Sequence, residues 1–259
     1  MVLGLSGVER VPLGVDVLDF ALPRGVLRNS FIVLAGPGGT GKSVFNIFIS
    51  LSFMKRGEPV LYVTLDDDPA TTYASFKSFN IDLKPYVEKK LFGFIDAFSF
   101  RLGPFKKAYD GVVKEVNPKE TSKFIYVLLE ALGEMGMDGK GLLIIDSLNE
   151  IFFHLELNSA IEFIKTLRAL VSKGKSVLTL ATFHTTTESF MEIIKSIGHL
   201  IDGLIELSTV EQPALTALPL PLWQLIVRKM KGAPHSTSWI FYTIAEDGVK
   251  PVVLRQTGK

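Results

Sequence analysis

The sequence contains no cysteine. That excludes disulfides, thiolate zinc sites and thiol nucleophiles, and it agrees with a reducing, cytoplasmic setting. No apolar run approaches the roughly 20 residues needed to cross a bilayer. Met1 to Arg10 also lacks the basic start and apolar stretch of a secretory leader, so no direct membrane insertion is expected. An excess of either charge is missing as well: 28 lysines and arginines face 27 aspartates and glutamates. Without a broad positive field, nucleic acid is not expected as a partner. The four histidines show no metal-ligand spacing and join no Ser/His/Asp pattern.

What is present is a hydrophobic fraction of 47% in 259 residues, which suits one α/β domain over 1–259 rather than two full cores. Short apolar runs at Phe31 to Ala35, Val60 to Leu65, Phe92 to Asp96, Leu142 to Ile145, Ser176 to Thr182 and Gly203 to Leu207 predict strands. Between them, apolar residues recur at helical spacing: Val44, Ile47, Phe48, Leu51; Phe124, Val127, Leu128, Ala131; Ala160, Phe163, Ile164, Leu167, Val171; and Phe190, Ile193, Ile194, Ile197, Ile201. Alternating strands and helices predict a mostly parallel sheet covered on both faces, a three-layer αβα core. The last third breaks the rhythm. A proline-bearing stretch, Pro213 to Pro221, precedes Trp223 to Met230, Trp239 to Thr243 and an Asp247-Gly248 turn, so an antiparallel extension is expected from about residue 204.

Gly36-Pro-Gly-Gly-Thr-Gly-Lys42-Ser43 fits G-x-x-x-x-G-K-[ST], between an apolar strand and an amphipathic helix. Gly38, Gly39, Thr40 and Gly41 can leave backbone N–H groups open to phosphates at a helix N-terminus, with Val44 in the first turn. Lys42 then neutralises the β- and γ-phosphates, and Ser43 offers a hydroxyl to magnesium. ATP with Mg2+ is the expected ligand. Leu142-Leu-Ile-Ile-Asp146 is a Walker B pattern whose carboxylate would hold the metal's water shell.

Tyr62-Val-Thr-Leu-Asp66-Asp67-Asp68-Pro69 puts three carboxylates at a strand exit. Asp66 and Asp67 are the candidates for orienting or deprotonating water. The alternative is a solvated acidic turn in which Asp68 starts a helix at Pro69. His184, after the run ending at Thr182, is either a γ-phosphate sensor or a capping or solvent-facing histidine.

These residues resemble the KaiC-like branch of the RecA superfamily. Gly14 to Asp19 with Arg24-Gly25 resembles the family's opening, and Leu142 to Leu148 its Walker B strand. Arg228-Lys-Met-Lys-Gly232, His235 and Tyr242 to Gly248 resemble its Lys-x-Arg-Gly, His and Thr-x-x-Gly segments, and Ser78 falls where the family has a nucleotide-contacting serine. The resemblance implies a RecA-like P-loop NTPase fold and a homo-oligomeric, hexameric ring with ATP at each interface. Lys229, Met230, Lys231 and His235 would then reach the nucleotide of a neighbouring subunit from what reads as the antiparallel sheet edge. Asp66 and Asp67 stand in place of paired glutamates and Lys231 in place of an arginine, which cannot be matched by lysine as a bidentate fork. With one P-loop, the chain resembles single-domain archaeal relatives.

Three functions follow as expectations. One is a slow ATPase acting as a nucleotide-dependent switch, with phosphate going to water or to a protein hydroxyl. The second is a non-hydrolysing ATP-binding assembly subunit resembling the archaellum-associated KaiC-like protein. The third, a recombinase-type DNA-binding ATPase, lacks a basic glycine-rich loop, since Thr185 to Ser189 is short and carries Glu188.

Overall fold

The computed structural model describes residues 9–210 and 221–253, so most of the expected proline-bearing excursion lies outside the described residues. A two-stranded pair, β1 (Arg10–Val11) and β2 (Val26–Leu27), brackets α1 (Asp16–Ala21). β3 (Phe31–Gly36) leads into α2 (Lys42–Lys55), and β4 (Val60–Thr64) into α3 (Pro69–Ser78) and α4 (Lys84–Glu88). β5 (Phe92–Asp96) and β6 (Val112–Glu115) precede α5 (Thr121–Glu134). Then come β7 (Leu142–Asp146), α6 (Asn149–His154), α7 (Leu157–Leu167), β8 (Leu178–His184), α8 (Glu188–Ile197) and β9 (Gly203–Thr209). β10 (Trp223–Met230), β11 (Ile240–Ala245) and β12 (Gly248–Val252) follow.

Ten strands form one sheet in the order β12-β11-β10-β9-β3-β8-β7-β4-β5-β6. From β9 to β6 every pairing is parallel. Alternate residues of the buried strands feed two separate cores. Ile32, Leu34, Tyr62, Phe94 and Ile144 pack with α1 and α2 on one face, and Val33, Val63, Ile95, Ile145 and Phe183 pack with α5, α7 and α8 on the other. This is the period-2 pleat of strands buried on both sides.

All six expected strands of the alternating region are present, with two corrections. β8 begins at Leu178 rather than Ser176, because α7 runs on as a π-helical segment, Arg168–Gly174, and Ser176 takes φ 51° in the connection. The antiparallel strands begin at β10, not at about residue 204, because β9 lies parallel to β3. β10 lies between β9 and β11, but β11 pairs only with Trp223, Gln224 and Leu225, so β10 is interior at its start and open on the β11 side at Lys229. The Lys229 segment itself pairs with β9 alone.

Candidate functional site

The parallel strands all point the same way, so the residues that follow β3, β4, β7 and β8 gather along one edge of the sheet, where α/β proteins bind ligands. After β3 the chain turns through Pro37 to Gly41 and enters α2 at Lys42. Gly41 has φ 83°, and a Cβ there would lie 2.6 Å from Cδ1 of Ile244 on β11, so glycine is required on two counts. Gly38 and Gly39 are exposed, with open space where a Cβ would stand. Behind the loop, Thr40 Oγ1 donates to Pro37 O (2.9 Å) and Tyr242 Oη donates to Thr40 O (2.7 Å). The turn is therefore braced from the strand that its own chain supplies.

Lys42 is buried, and its Nζ donates to Gly36 O and Pro37 O, both at 2.8 Å. Burial lowers its pKa to about 8, against the opposing pull of Asp146 and Asp66. Ser43 is exposed beside it on the first turn of α2, and Val44 is half-buried. In front of them lies a chamber of about 240 Å³ lined by Ser43, Tyr62, Thr64, Asp66, Asp67, Thr72, Asp146 and His184. Five elements, α2, β4, α3, β7 and β8, contribute to it.

Within the chamber, both oxygens of Asp146 accept hydrogen bonds: from Tyr62 Oη (2.5 Å) and from Thr182 Oγ1 (2.5 Å). Asn46 Nδ2 on α2 donates in turn to Tyr62 Oη at 3.3 Å. Asp66 lies 3.5 Å from His184 Nε2. Burial works to raise its carboxyl, but His184 and Ser147 outweigh that and hold it below the ordinary range. Asp67 goes the other way, pushed up by burial and by the charges of Asp66, Asp146 and Asp68. Asp68 does what the acidic-turn alternative expects of it, since its Oδ1 caps α3 by accepting from Thr71 N at 2.7 Å, with Pro69 opening the helix.

Magnesium suits this donor set. No group of three or more metal-ligating side chains forms a cage among the described residues. A nucleotide's magnesium needs none, because it keeps its waters and takes phosphate oxygens with one or two side chains. One hydroxyl, Ser43, and one carboxylate already fixed in orientation, Asp146, can meet that demand.

The remaining expected residues lie elsewhere. Ser78 closes α3, its Oγ donating to Ser75 O (2.8 Å), next to Phe79 on the wall of a separate cleft of about 840 Å³ that Phe48, Glu246 and Asp247 also line. Lys229, Met230, Lys231 and His235 cluster at the opposite end of the sheet from the cradle. Lys231 lies 3.6 Å from Asp202, and Asp202 accepts from the N–H of Phe31, the first residue of β3. The cradle begins at the last residue of that strand, about 17 Å away at the usual rise. Lys229 and Lys231 do not project together from a regular strand. A register shift between Val227 and Lys229 interrupts the pairing, Lys231 falls after the strand's end, and Lys229 Nζ is taken by Gly198 O (2.7 Å) and Ile201 O (2.9 Å). His235 Nδ1 sits 2.9 Å from Ala233 O.

A family model described as "ATPase: KaiC" matches residues 11–256. The chain belongs to the KaiC ATPase family. Among its relatives, UPF0273 protein PH0284 of Pyrococcus horikoshii is 25% identical over 241 residues, covering 93% of each chain. A UPF0273 protein of Aeropyrum pernix is 26% identical over 242 residues, again 93% of each. The crystal structure of KaiC-like protein PH0186 from Pyrococcus horikoshii superimposes with a TM-score of 0.72 at 21% identity, covering 95% of this chain and 100% of that one. The fold is thus the RecA-like α/β fold. Membership of an ATPase family implies nucleotide binding, and no helix among the described residues is long and apolar enough to cross a membrane.

Several residues of this KaiC-family site escape sequence reasoning. Tyr62 and Thr182 hold Asp146, Asn149 clamps the backbone of His184, and Tyr242 braces the phosphate loop. Asp202, with Arg168 and Lys173, anchors the Lys231 end. One signal was available for the first pair: a hydroxyl inside an otherwise apolar buried strand must find a partner.

Proposed function

We propose that this chain binds ATP with magnesium at the Gly36 to Ser43 cradle and hydrolyses it slowly. Hydrolysis occurs at the interfaces of a ring of like subunits, hexameric in the simplest case, acting as a nucleotide-dependent switch. The observation that carries the reading is the chamber in front of the cradle, where Ser43, Asp146, Asp66, Asp67 and His184 surround a space suited to a γ-phosphate, its metal and a water. Gly38, Gly39, Thr40 and Gly41 offer backbone N–H groups, with the α2 N-terminus behind them. Lys42 leaves the carbonyls of Gly36 and Pro37 for the β- and γ-phosphates. Magnesium, when bound, supplies charge that the leaving phosphate needs, held by Ser43 and through water by Asp146. One of the two aspartates after β4 receives the water's proton. Each is a methylene shorter than glutamate, and lost positioning makes turnover slow.

Lys231 and His235, with Lys229, serve the neighbour's ATP. They lie a full strand length from their own cradle, so a second subunit is the nearer target, and cationic groups there answer charge developing in the transition state. The test is complementation. Lys42→Ala and Lys231→Ala proteins should each be inactive and regain turnover when co-assembled. Wild-type turnover by Lys231→Ala alone, or no oligomer with ATP by light scattering, would refute the shared site. A second reading, an ATP-holding assembly subunit, draws support from the engagement of Asp66 by His184, which leaves one free carboxylate in the chamber. Stable ring formation with ATP and no turnover by the wild type would favour it.

A further inference from the structure

We propose that Tyr242 is a positioning residue for the phosphate loop: its hydroxyl fixes the Thr40 peptide, so the loop and the β11–β12 hairpin close as one unit, and nucleotide bound at the first tightens the second. This deepens the nucleotide reading above and rests on it.

A loop that turns its N–H groups toward a phosphate turns carbonyls inward, where each needs a donor. Gly36 O accepts from Lys42 Nζ (2.8 Å) and from Thr185 N (3.2 Å). Pro37 O accepts from Lys42 Nζ (2.8 Å) and Thr40 Oγ1 (2.9 Å), and Gly41 O from Phe45 N (3.0 Å). Thr40 is fully buried, and its carbonyl takes its hydrogen bond from outside the loop, from Tyr242 Oη at 2.7 Å, 202 residues along the chain. When Lys42 turns to a bound phosphate, Gly36 O keeps Thr185 and Pro37 O keeps Thr40. Thr40 O depends on Tyr242 in both states.

The peptide plane makes that bond directional. Thr40 O and Gly41 N–H lie on opposite sides of one rigid trans peptide, so holding the oxygen fixes where the N–H points. Gly41 N–H has no backbone partner among the described residues, as a phosphate donor requires. The hairpin also reaches the loop at more than one point. Tyr242 is buried on β11, its ring edge-on to Phe45 of α2 (5.4 Å between centroids) and stacked with Trp223 of β10 (6.1 Å). Burial pushes the phenol well above its ordinary range, so it stays a donor. Two residues on, and so on the same face of the strand, Ile244 packs against Gly41.

The hairpin's tie to the rest of the sheet is short. β11 pairs with β10 only at Trp223, Gln224 and Leu225, and β12 forms the sheet's margin. An element held by so few ladder pairs opens locally before the sheet does. Opening withdraws the hydroxyl from Thr40 O, leaves that carbonyl unpaired and releases the loop that it held. By linkage, a nucleotide that binds the fixed loop more tightly than the released one holds the hairpin shut by the same factor.

The experiment measures ATP and ADP affinities with magnesium by calorimetric titration, and amide hydrogen exchange of β11 and β12 with and without ADP. Tyr242→Phe keeps the ring and removes the hydroxyl. It should weaken ATP and ADP alike, about 10-fold each, the loss of one buried hydrogen bond. In the wild type, saturating ADP should slow the locally opening amides of β11 and β12 by the same factor, about 10-fold, and in Tyr242→Phe the slowing should vanish. A residue that merely stabilises the fold would lower the melting temperature and leave the affinities and the nucleotide-dependent exchange where they were; that result overturns the assignment. So does a loss confined to ATP, which would put the effect at the γ-phosphate rather than at the loop. Wild-type exchange tests the coupling even if the variant fails to fold: equal rates at β11 and β12 with and without ADP refute it. Wild-type protein that binds neither nucleotide would instead overturn the nucleotide reading itself.

Discussion

Replacing Asp202 with asparagine isolates the anchor of the distant lysine cluster without touching the cradle. Asp202 is 2% exposed, accepts from Phe31 N at 3.0 Å, and faces Arg168 at 2.8 Å, Lys173 at 3.0 Å and Lys231 at 3.6 Å. Burial alone would raise its pKa, but Arg168, the Phe31 N–H and Lys173 bring it down from 3.8 to about 2. A drop of that size corresponds to about 2 kcal/mol of folding stability at neutral pH. An asparagine keeps the acceptor for Phe31 but leaves three cations facing one another, so about 2 kcal/mol is a lower figure. In a chain of this length that lowers Tm by roughly 4–8 °C. Because the folded pKa is the lower one, the contribution is complete above 3.8 and is lost as pH falls through about 2. The gap between wild type and variant should therefore shrink by about half near pH 3. Urea unfolding at pH 7 and near pH 3 measures both quantities. A variant within about 0.5 kcal/mol of wild type at pH 7, or a gap that does not narrow with acid, refutes the account.

Lys42→Ala should abolish tight ATP–magnesium binding and leave the melting temperature nearly unchanged, because the lysine's own contacts are two loop carbonyls; calorimetric titration and a thermal melt check the pair. Since Lys42 has a pKa of about 8 without ligand and a bound phosphate favours its charged form, ATP affinity should fall as pH rises through about 8. Titrations in buffers of different ionisation enthalpy should accordingly show proton uptake on binding above that pH, and none would count against it. Tyr62→Phe removes one of the two bonds to Asp146, so the magnesium concentration for half-maximal turnover should rise several-fold, with the ATP affinity measured at saturating magnesium little changed.

The cradle was legible because its requirements are local. Glycines, lysine and serine at fixed spacing between a strand and a helix determine the loop's backbone, and Gly41 has the positive φ that the motif implies. Strands of the parallel region were legible for a similar reason: burial on both faces writes them as continuous apolar runs. β6 escaped because its sequence, Val112-Val-Lys-Glu, has only two apolar residues and lies at the sheet margin. The partners of Asp146 escaped because Tyr62 and Thr182 lie 84 and 36 residues from it in the chain and meet only through the order of β4, β7 and β8. Sequence spacing carries no trace of which parallel strands become neighbours. The expected edge position of β10 holds only at its Lys229 end, since β11, added later in the chain, covers Trp223 to Leu225.

The near-zero net charge conceals a separation with consequences for assembly. Asp66, Asp67 and Asp146 stand at the carboxyl ends of the parallel strands, while Arg168, Lys173, Lys229 and Lys231 gather at the other end around the single carboxylate of Asp202. Polyphosphate bound at the first end would add to its negative charge. A twofold pairing of subunits through either end would set like charges against like, whereas a head-to-tail contact sets one subunit's cations against its neighbour's nucleotide end. Head-to-tail contacts propagate until the rotation closes, so the charge separation favours a ring or filament over an isologous dimer. Such a contact should weaken with salt and strengthen with nucleotide, because ATP adds charge at the end that the lysines must meet.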